Sequence, residues 1–426
     1  MRTVLAYTPP DLQEARPGVV SRRLVFFLAG YDPEARSRYR MLFVRELLLS
    51  ARRFGEPAPK LGRLSEEAGG LSQVWQIGPR PEIGDAAVDY EVLHWDDLVV
   101  RDGRRLRLVN IGLLVVGTLH ALAVGLLWRF YRFNHRYGNV IVYPFVMVVA
   151  LALISGLIAA LVHPHLGSGF AHSLGLPLAL SLPLALAIGV AWIAAIDRPL
   201  NRMFFWLLLR SWVFHWQHGQ GWRPDYEARL DAFAERAAAR IAEACASDEP
   251  PDEILLIGHS TGGLTAAELA ARLLDRMPDL GETGPALSLA TLGSALPLVV
   301  IQPRAVRLRA QVARLVASRR LVWCDFQAPQ DWMNFPGFNP VLDADLPDAG
   351  GTTANPIVRS AQFKRILTPE TYAKVRNRPF RMHFQFLMAN ELPGEYDYFR
   401  MVLGPQYLRD RALQPIIGPE PVRTRR

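Results

Sequence analysis

The residue pattern best suited to chemistry in this chain is a serine set between two glycines. Ser260 lies in the run Ile254-Leu255-Leu256-Ile257-Gly258-His259-Ser260-Thr261-Gly262-Gly263, and an Ala/Leu-rich stretch from Leu264 to about Arg276 follows it. The pattern reads as a short buried strand, a sharp turn and a helix. A turn this tight needs very small residues two before and two after the serine, and Gly258 and Gly262 meet that need. It holds the serine in a strained backbone conformation with its hydroxyl clear of the sheet. The amide of Thr261 falls at a helix N-terminus, where it can donate to a developing oxyanion. The chemistry this predicts is nucleophilic attack by a serine. A hydroxyl is a poor nucleophile at neutral pH, so a general base must accompany it, usually a histidine oriented by a carboxylate. The bland alternative, a glycine-rich turn with an idle serine, leaves the apolar lead-in and the helix unexplained.

The elements that must position this turn lie on both sides of a long apolar region. Arg23–Ala29 is β-rich and ends in Gly30-Tyr31. Asp32-Pro33-Glu34 then opens a helix, with Asp32 as cap, a proline at the first helical position and an acid in the first turn. That helix runs to about Phe54 with Tyr39, Phe43 and Leu47 on one face. Apolar runs follow at Ser72–Ile77 and Tyr90–Trp95. Further on, Asp225 starts a helix whose Leu230, Phe233, Ala237, Ile241 and Ala244 form one stripe. Strands are expected at Leu287–Leu292, Leu321–Asp325 and Phe380–Phe386. Strands alternating with helices mean a mostly parallel sheet covered on both faces, an α/β fold.

The composition points to a membrane part. Half of the 426 residues are hydrophobic, a high share for a purely soluble chain. Three stretches, about Asn110–Trp128, Val140–Val162 and Leu174–Ile196, hold no Lys, Arg, Asp or Glu. Each has the length of roughly 20 residues that spans a bilayer core as a helix. A fourth, Met203–Trp216, holds Arg210 and is dense in aromatic residues, which suits a membrane–water interface. The net charge of +8 is almost all arginine, with lysine only at Lys60, Lys364 and Lys374. No arginine cluster fits a nucleic-acid motif, so nucleic acid is not an expected partner; anionic membrane lipid is. Cys245 and Cys324 read as buried free thiols, with no CxxC and no disulfide framework. Met1–Val20 lacks the apolar core of a secretory signal.

On these residues the chain resembles an α/β-hydrolase of lipase or esterase type, with an inserted transmembrane region. Gly258-His259-Ser260-Thr261-Gly262 resembles the nucleophile elbow, and Phe27-Leu28-Ala29-Gly30-Tyr31-Asp32 resembles the oxyanion loop. The resemblance covers about residues 20–108 and 217–410. It implies three parts: 1–108 and 218–426 as the two pieces of a hydrolase domain, and 109–217 as a membrane helical insert. It also implies the chain order serine, acid, histidine. Apart from His259, too close to fold back, only His383 follows Ser260. His383 is therefore the expected base, although no glycine-rich loop precedes it. Asp331, in a loop after a strand, is preferred as the acid over Asp325 at the strand end. Asp343, Asp345 and Asp348 read as solvated. The oxyanion donors would be the amides of Thr261 and of Tyr31 or Gly30. No cofactor is implied. His163 with His165, and His215 with His218, have no acidic or cysteine partner at ligand spacing, so no metal is expected.

The oxyanion loop and the serine must meet in one site, so the chain must return to the side it left. The number of crossings is then even, two or four. With two, Arg129, Arg132, Arg136, Arg198 and Arg202 all fall on the catalytic side, and the positive-inside rule makes that side cytoplasmic. The expectation is an integral protein of the inner or plasma membrane that cleaves a lipophilic ester or thioester. An acyltransferase with the same three residues, or a membrane scaffold that keeps the fold without the activity, are the alternatives. Nothing in the sequence fixes the oligomeric state.

Overall fold

Runs of apolar and β-branched residues build an eight-stranded sheet among the described residues: β1 (Arg22–Leu28), β2 (Ser65–Glu66), β3 (Ser72–Ile77), β4 (Ala87–Leu93), β5 (Glu253–His259), β6 (Ala286–Leu292), β7 (Leu321–Gln327) and β8 (Ile357–Ser360). The computed structural model describes residues 6–66, 69–165, 181–347 and 350–414. They divide into two compact units: Met1–Arg104 with Leu126–Tyr137 and His215–Arg426, and Arg105–Gly125 with Gly138–Phe214.

The first unit holds the sheet, in the order β2-β3-β4-β1-β5-β6-β7-β8. From β4 to β8 the neighbours run parallel, and β2 and β3 extend the β4 edge antiparallel. The central strands are buried along almost their whole length, as a sheet covered on both faces requires. Helix Ala35–Arg53 lays Tyr39, Phe43 and Leu47 against Val25, Phe27 and Ile257 on one face. On the other, helix Thr261–Arg276 packs on β5 and helix Pro224–Cys245 packs on it in turn. The stripe Leu230, Phe233, Ala237, Ile241 is fully buried. At the amino ends of β1 and β5, Arg23 pairs with Glu253 at 2.7 Å, both side chains fully buried. Ser288 and the Leu408 amide donate to the same carboxylate. Burying such a pair is tolerable only when each remaining donor and acceptor is satisfied, as here. The chain leaves β1 to build one side of the sheet and returns beside β1 as β5. The carboxyl ends of β1 and β5 thus form a switch point, where parallel sheets open a crevice.

Several sequence expectations are corrected here. Phe380–Phe386 is not a strand but helix Pro379–His383 followed by a 3-10 turn, Phe384–Leu387. Its alternation of apolar and polar residues imitates a strand, but Pro379 is set for the first helical turn. The strand beyond β7 is instead β8, only four residues long, beside the Asn355 side chain, which accepts from the Trp323 amide. The first helix begins at Ala35 rather than at Pro33, and Asp32 caps a preceding turn by accepting from the Glu34 amide. Cys324 is buried, but Cys245 is exposed.

The second unit is helical. The stretch Asn110–Trp128 is not one helix: Arg107–Ala123 ends before Gly125, whose φ of +73° glycine adopts without strain, and Leu126–Phe133 starts anew. His135–His165 has 31 residues and is, among the described residues, the one unbroken helix long and apolar enough to cross a membrane. Ser181–Ala195 is a shorter apolar helix of 15 residues. Residues 174–180 of the third stretch, like Asp348, lie outside the described residues. The two helices touch through small residues, since a Cβ on Gly189 would strike the Ser155 carbonyl, and Trp192 Nε1 donates to Ser155 Oγ at 3.0 Å. Of the aromatic fourth stretch, Phe205–Trp216 lies within helix Phe205–Gly219, while Met203 and Phe204 form the turn before it.

Candidate active site

Ser260 stands between the end of β5 and helix Thr261–Arg276 with φ +59° and ψ −123°, a conformation a β-carbon makes costly. The surroundings impose it. The Ser260 amide donates to Leu292 at 3.0 Å, and its carbonyl accepts from Gly263 and Ala295, each at 2.9 Å. A Cβ on Gly258 would collide with the Gly262 carbonyl, and one on Gly262 would collide with that of Leu28. Both glycines are therefore required by close backbone approach. The side chain of Ser260 is half-buried at the carboxyl edge of the sheet.

His383 and Asp331 come together from elements 52 residues apart. His383 Nδ1 lies 2.7 Å from Asp331 Oδ2, and both side chains are buried. Asp331 Oδ1 accepts from the Met333 amide at 2.9 Å, and Oδ2 accepts a second hydrogen bond from Asn334 Nδ2 at 3.2 Å. A carboxylate held in this way stays acceptor-only and fixes a proton on His383 Nδ1, which leaves Nε2 as the basic nitrogen. That Nε2 is buried and makes no hydrogen bond. The ring of His383 lies against that of His259, the residue before Ser260, at 4.6 Å between centroids. Asp325 is placed elsewhere. It accepts from Thr291 and Gln327, and burial pushes its carboxyl up to about 6. Asp343 is half-buried and accepts from the Asn339 amide, while Asp345 is exposed.

The donors for an oxyanion narrow. Thr261 is the first residue of its helix, so its N–H has no acceptor within that helix. Its hydroxyl lies 3.2 Å from His215 Nε2. The Gly30-Tyr31 turn passes directly beside the serine, since a Cβ on Gly30 would stand 3.1 Å from Ser260 Cβ. The Gly30 N–H, however, is committed to Tyr39 Oη at 3.1 Å, which removes it as an oxyanion donor. Of the two loop amides, Tyr31 is the one not so committed to Tyr39. The Tyr31 phenol donates to Asp102 at 3.0 Å and stacks edge-on against Trp95, so its role is to hold the loop.

Three residues at this site were not singled out for chemistry in the sequence. Tyr39 reads as a packing residue and His259 as a neighbour too close to act, and Asn334 drew no reading. Only Asn334 had a local signal, an amide three positions after a carboxylate in a turn-rich segment. His218 also finds partners the sequence spacing did not show. Its Nε2 lies 3.1 Å from Glu268 and its Nδ1 3.7 Å from Glu227, both on other helices. These three are, among the described residues, the one group with metal-ligand spacing. Glu227 already pairs with Arg272 at 2.6 Å and with Arg307, so guanidinium groups supply the positive charge there. No protein-family model matches the chain, and no curated protein or solved structure matches it.

Proposed function

We propose that this protein is a membrane-anchored serine hydrolase of α/β-hydrolase type, cleaving a lipophilic ester or thioester. One observation carries the reading: His383, buried and held by Asp331 at 2.7 Å, keeps an unpartnered Nε2 and lays its ring against His259, the residue before the strained Ser260. A buried imidazole nitrogen without a partner costs stability, and here the nitrogen belongs to a ring held by a carboxylate and lying against the residue before a strained serine, the arrangement a general base needs. In the proposed reaction Nε2 takes the Ser260 proton as Oγ attacks the carbonyl carbon. The Thr261 and Tyr31 amides stabilise the oxyanion, and His383 returns the proton to the leaving alcohol or thiol. Water then attacks the acyl-serine by the same steps in reverse. Asp331 stabilises the imidazolium and holds the ring.

The apolar helix His135–His165 supports membrane attachment, which would keep the site near substrates that partition into lipid. A site shared by both pieces of the chain calls for an even number of crossings, and with two crossings the arginine distribution supports a cytoplasmic side for it. The test is labelling of membranes with a fluorophosphonate probe. Wild type is expected to label and Ser260→Ala is not; labelling that persists in Ser260→Ala sinks the assignment.

A further inference from the structure

Behind Ser260 a continuous hydrogen-bond chain crosses three elements. Gly30 N–H meets Tyr39 Oη at 3.1 Å, Tyr39 Oη meets His259 Nδ1 at 3.1 Å, and His259 Nε2 meets the His383 carbonyl oxygen at 3.1 Å. Its direction is fixed by its two ends, because an amide can only donate and a carbonyl can only accept. Tyr39 Oη accepts from Gly30, so its own proton goes to His259 Nδ1. His259 is then the Nε2–H tautomer and donates to His383. No other placement of protons satisfies all four groups. An imidazolium would put a second proton between Nδ1 and the Tyr39 hydroxyl. The whole chain is buried, with His259 at 0% and Tyr39 at 5% exposure. Burial, and next to it the nearby His383, hold the His259 ring well below its usual range, so it stays neutral.

We propose that Tyr39 and His259 are positioning residues for the Ser260 reaction, which together set the spacing of the Gly30-Tyr31 turn, the Ser260 turn and His383. The inference rests on the serine-hydrolase reading. It gives that reading a specific geometry, since each link joins one piece of the site to the next. Gly30 precedes the proposed oxyanion residue, His259 precedes the nucleophile, and the last acceptor belongs to the base itself. Breaking a link leaves every catalytic group in place but frees their separations, and misplacement of about 1 Å can cost 100-fold in rate.

The experiment uses the full-length protein in detergent, with p-nitrophenyl butyrate turnover as the assay. Tyr39→Phe and His259→Phe each remove hydrogen bonds while keeping a ring in the space. Each is expected to lower kcat by about 10- to 100-fold with KM little changed. The double variant is expected to be no worse than either single one, because both break one chain. His259→Gln can accept from Tyr39 and donate to the His383 carbonyl, and is expected to recover most of the lost rate. A readout apart from activity is the 15N imidazole spectrum of Ser260→Ala, which should show His259 as the Nε2–H tautomer, with the Nδ1 resonance shifting once Tyr39→Phe removes its hydrogen bond. Unchanged kcat in both single variants, effects that multiply in the double variant, or an Nδ1–H tautomer would each overturn the proposal. If wild type neither turns over the ester nor labels with fluorophosphonate, the hydrolase reading falls by itself, and the tautomer spectrum still decides the chain.

Discussion

Two buried histidine–carboxylate pairs lie in the sheet unit, and they are built differently. His383 meets Asp331 at 2.7 Å in surroundings where the carboxylate's other donors are an amide and an asparagine, both neutral. His218 meets Glu268 at 3.1 Å within a group that adds Glu227, Arg272 and Arg307. In the second, opposite charges meet one another, as in a network whose role is cohesion between helices. In the first, Asp331 holds one imidazole nitrogen and the ring lies against His259, next to Ser260, whereas in the second the other nitrogen, His218 Nδ1, faces a further carboxylate, Glu227, at 3.7 Å. A short His–carboxylate distance therefore says little by itself; what the remaining atoms of the pair do separates a working site from a strut. Substituting each histidine breaks or sharpens this contrast. His383→Ala is expected to lower ester turnover by about a millionfold, with a smaller loss of stability than His218→Ala because Asp331 keeps the Met333 amide and Asn334 as donors. His218→Ala should leave turnover within a few-fold but cost about 3 kcal/mol of stability, because a buried carboxylate loses its partner. Chemical denaturation and initial rates on the same preparations check both. Loss of turnover in both variants would erase the distinction.

The same contrast separates the two aspartates that follow β6. Asp331→Asn would place an amide opposite His383 Nδ1 and favour the wrong tautomer, so a loss of about ten-thousand-fold in kcat is expected. Asp325→Asn lies off the histidine and should leave kcat within a few-fold. Between these extremes stands Asn334, whose Nδ2 holds both the Ala328 carbonyl and Asp331 Oδ2. Asn334→Ala keeps the His–Asp pair but frees the carboxylate to rotate, and about a tenfold drop in kcat is expected by analogy with other supporting residues. Equal losses in Asn334→Ala and Asp331→Asn would mean that the loop as a whole, rather than the carboxylate, is what matters.

How much of this was legible follows from where each signal lies along the chain. The Ser260 turn could be read because its requirements are local: two glycines, an apolar strand before and a helix after. β1 and β5 hold continuous apolar runs and β3 carries Val74, Trp75 and Ile77 among polar residues, and the structure places all three close to the expected bounds. The segment Phe380–Phe386 misleads because seven residues of strict alternation fit a strand better than a helix, and Pro379 at the helix start together with the packing of Met382 and Phe386 overrides that pattern. Gly125 was invisible as a helix break, since a glycine inside an apolar run is tolerated often enough in helices. Tyr39 and His259 could not be paired from sequence at all. They are 220 residues apart, and their contact exists only because β1 and β5 are neighbours. The ligand-like spacing around His218 was hidden for the same reason.

The smallest expected effect concerns stability against pH, and it sets Asp325 against His259. Burial raises Asp325 from 3.8 to about 6, so the folded state binds its proton more tightly than the unfolded chain. Its contribution is complete below about pH 4 and is lost as pH rises through 6, an effect of up to roughly 3 kcal/mol. His259 has the opposite sign. Burial lowers it well below 6.5, so its contribution is complete above that value and is lost as pH falls below it. The two slopes oppose each other between pH 4 and 6; His94, lowered by burial to about 4, adds to the His259 side, so wild-type stability should rise with pH there. Asp325→Asn removes one slope and leaves the other, so urea unfolding of that variant should show stability rising from pH 4 to 6.5. His259→Gln leaves the His94 and Asp325 slopes opposed, and its stability should vary little over the same window. Parallel curves for wild type and both variants would show that neither group titrates differently in the folded chain, and the buried network around Ser260 would then lose its electrostatic rationale.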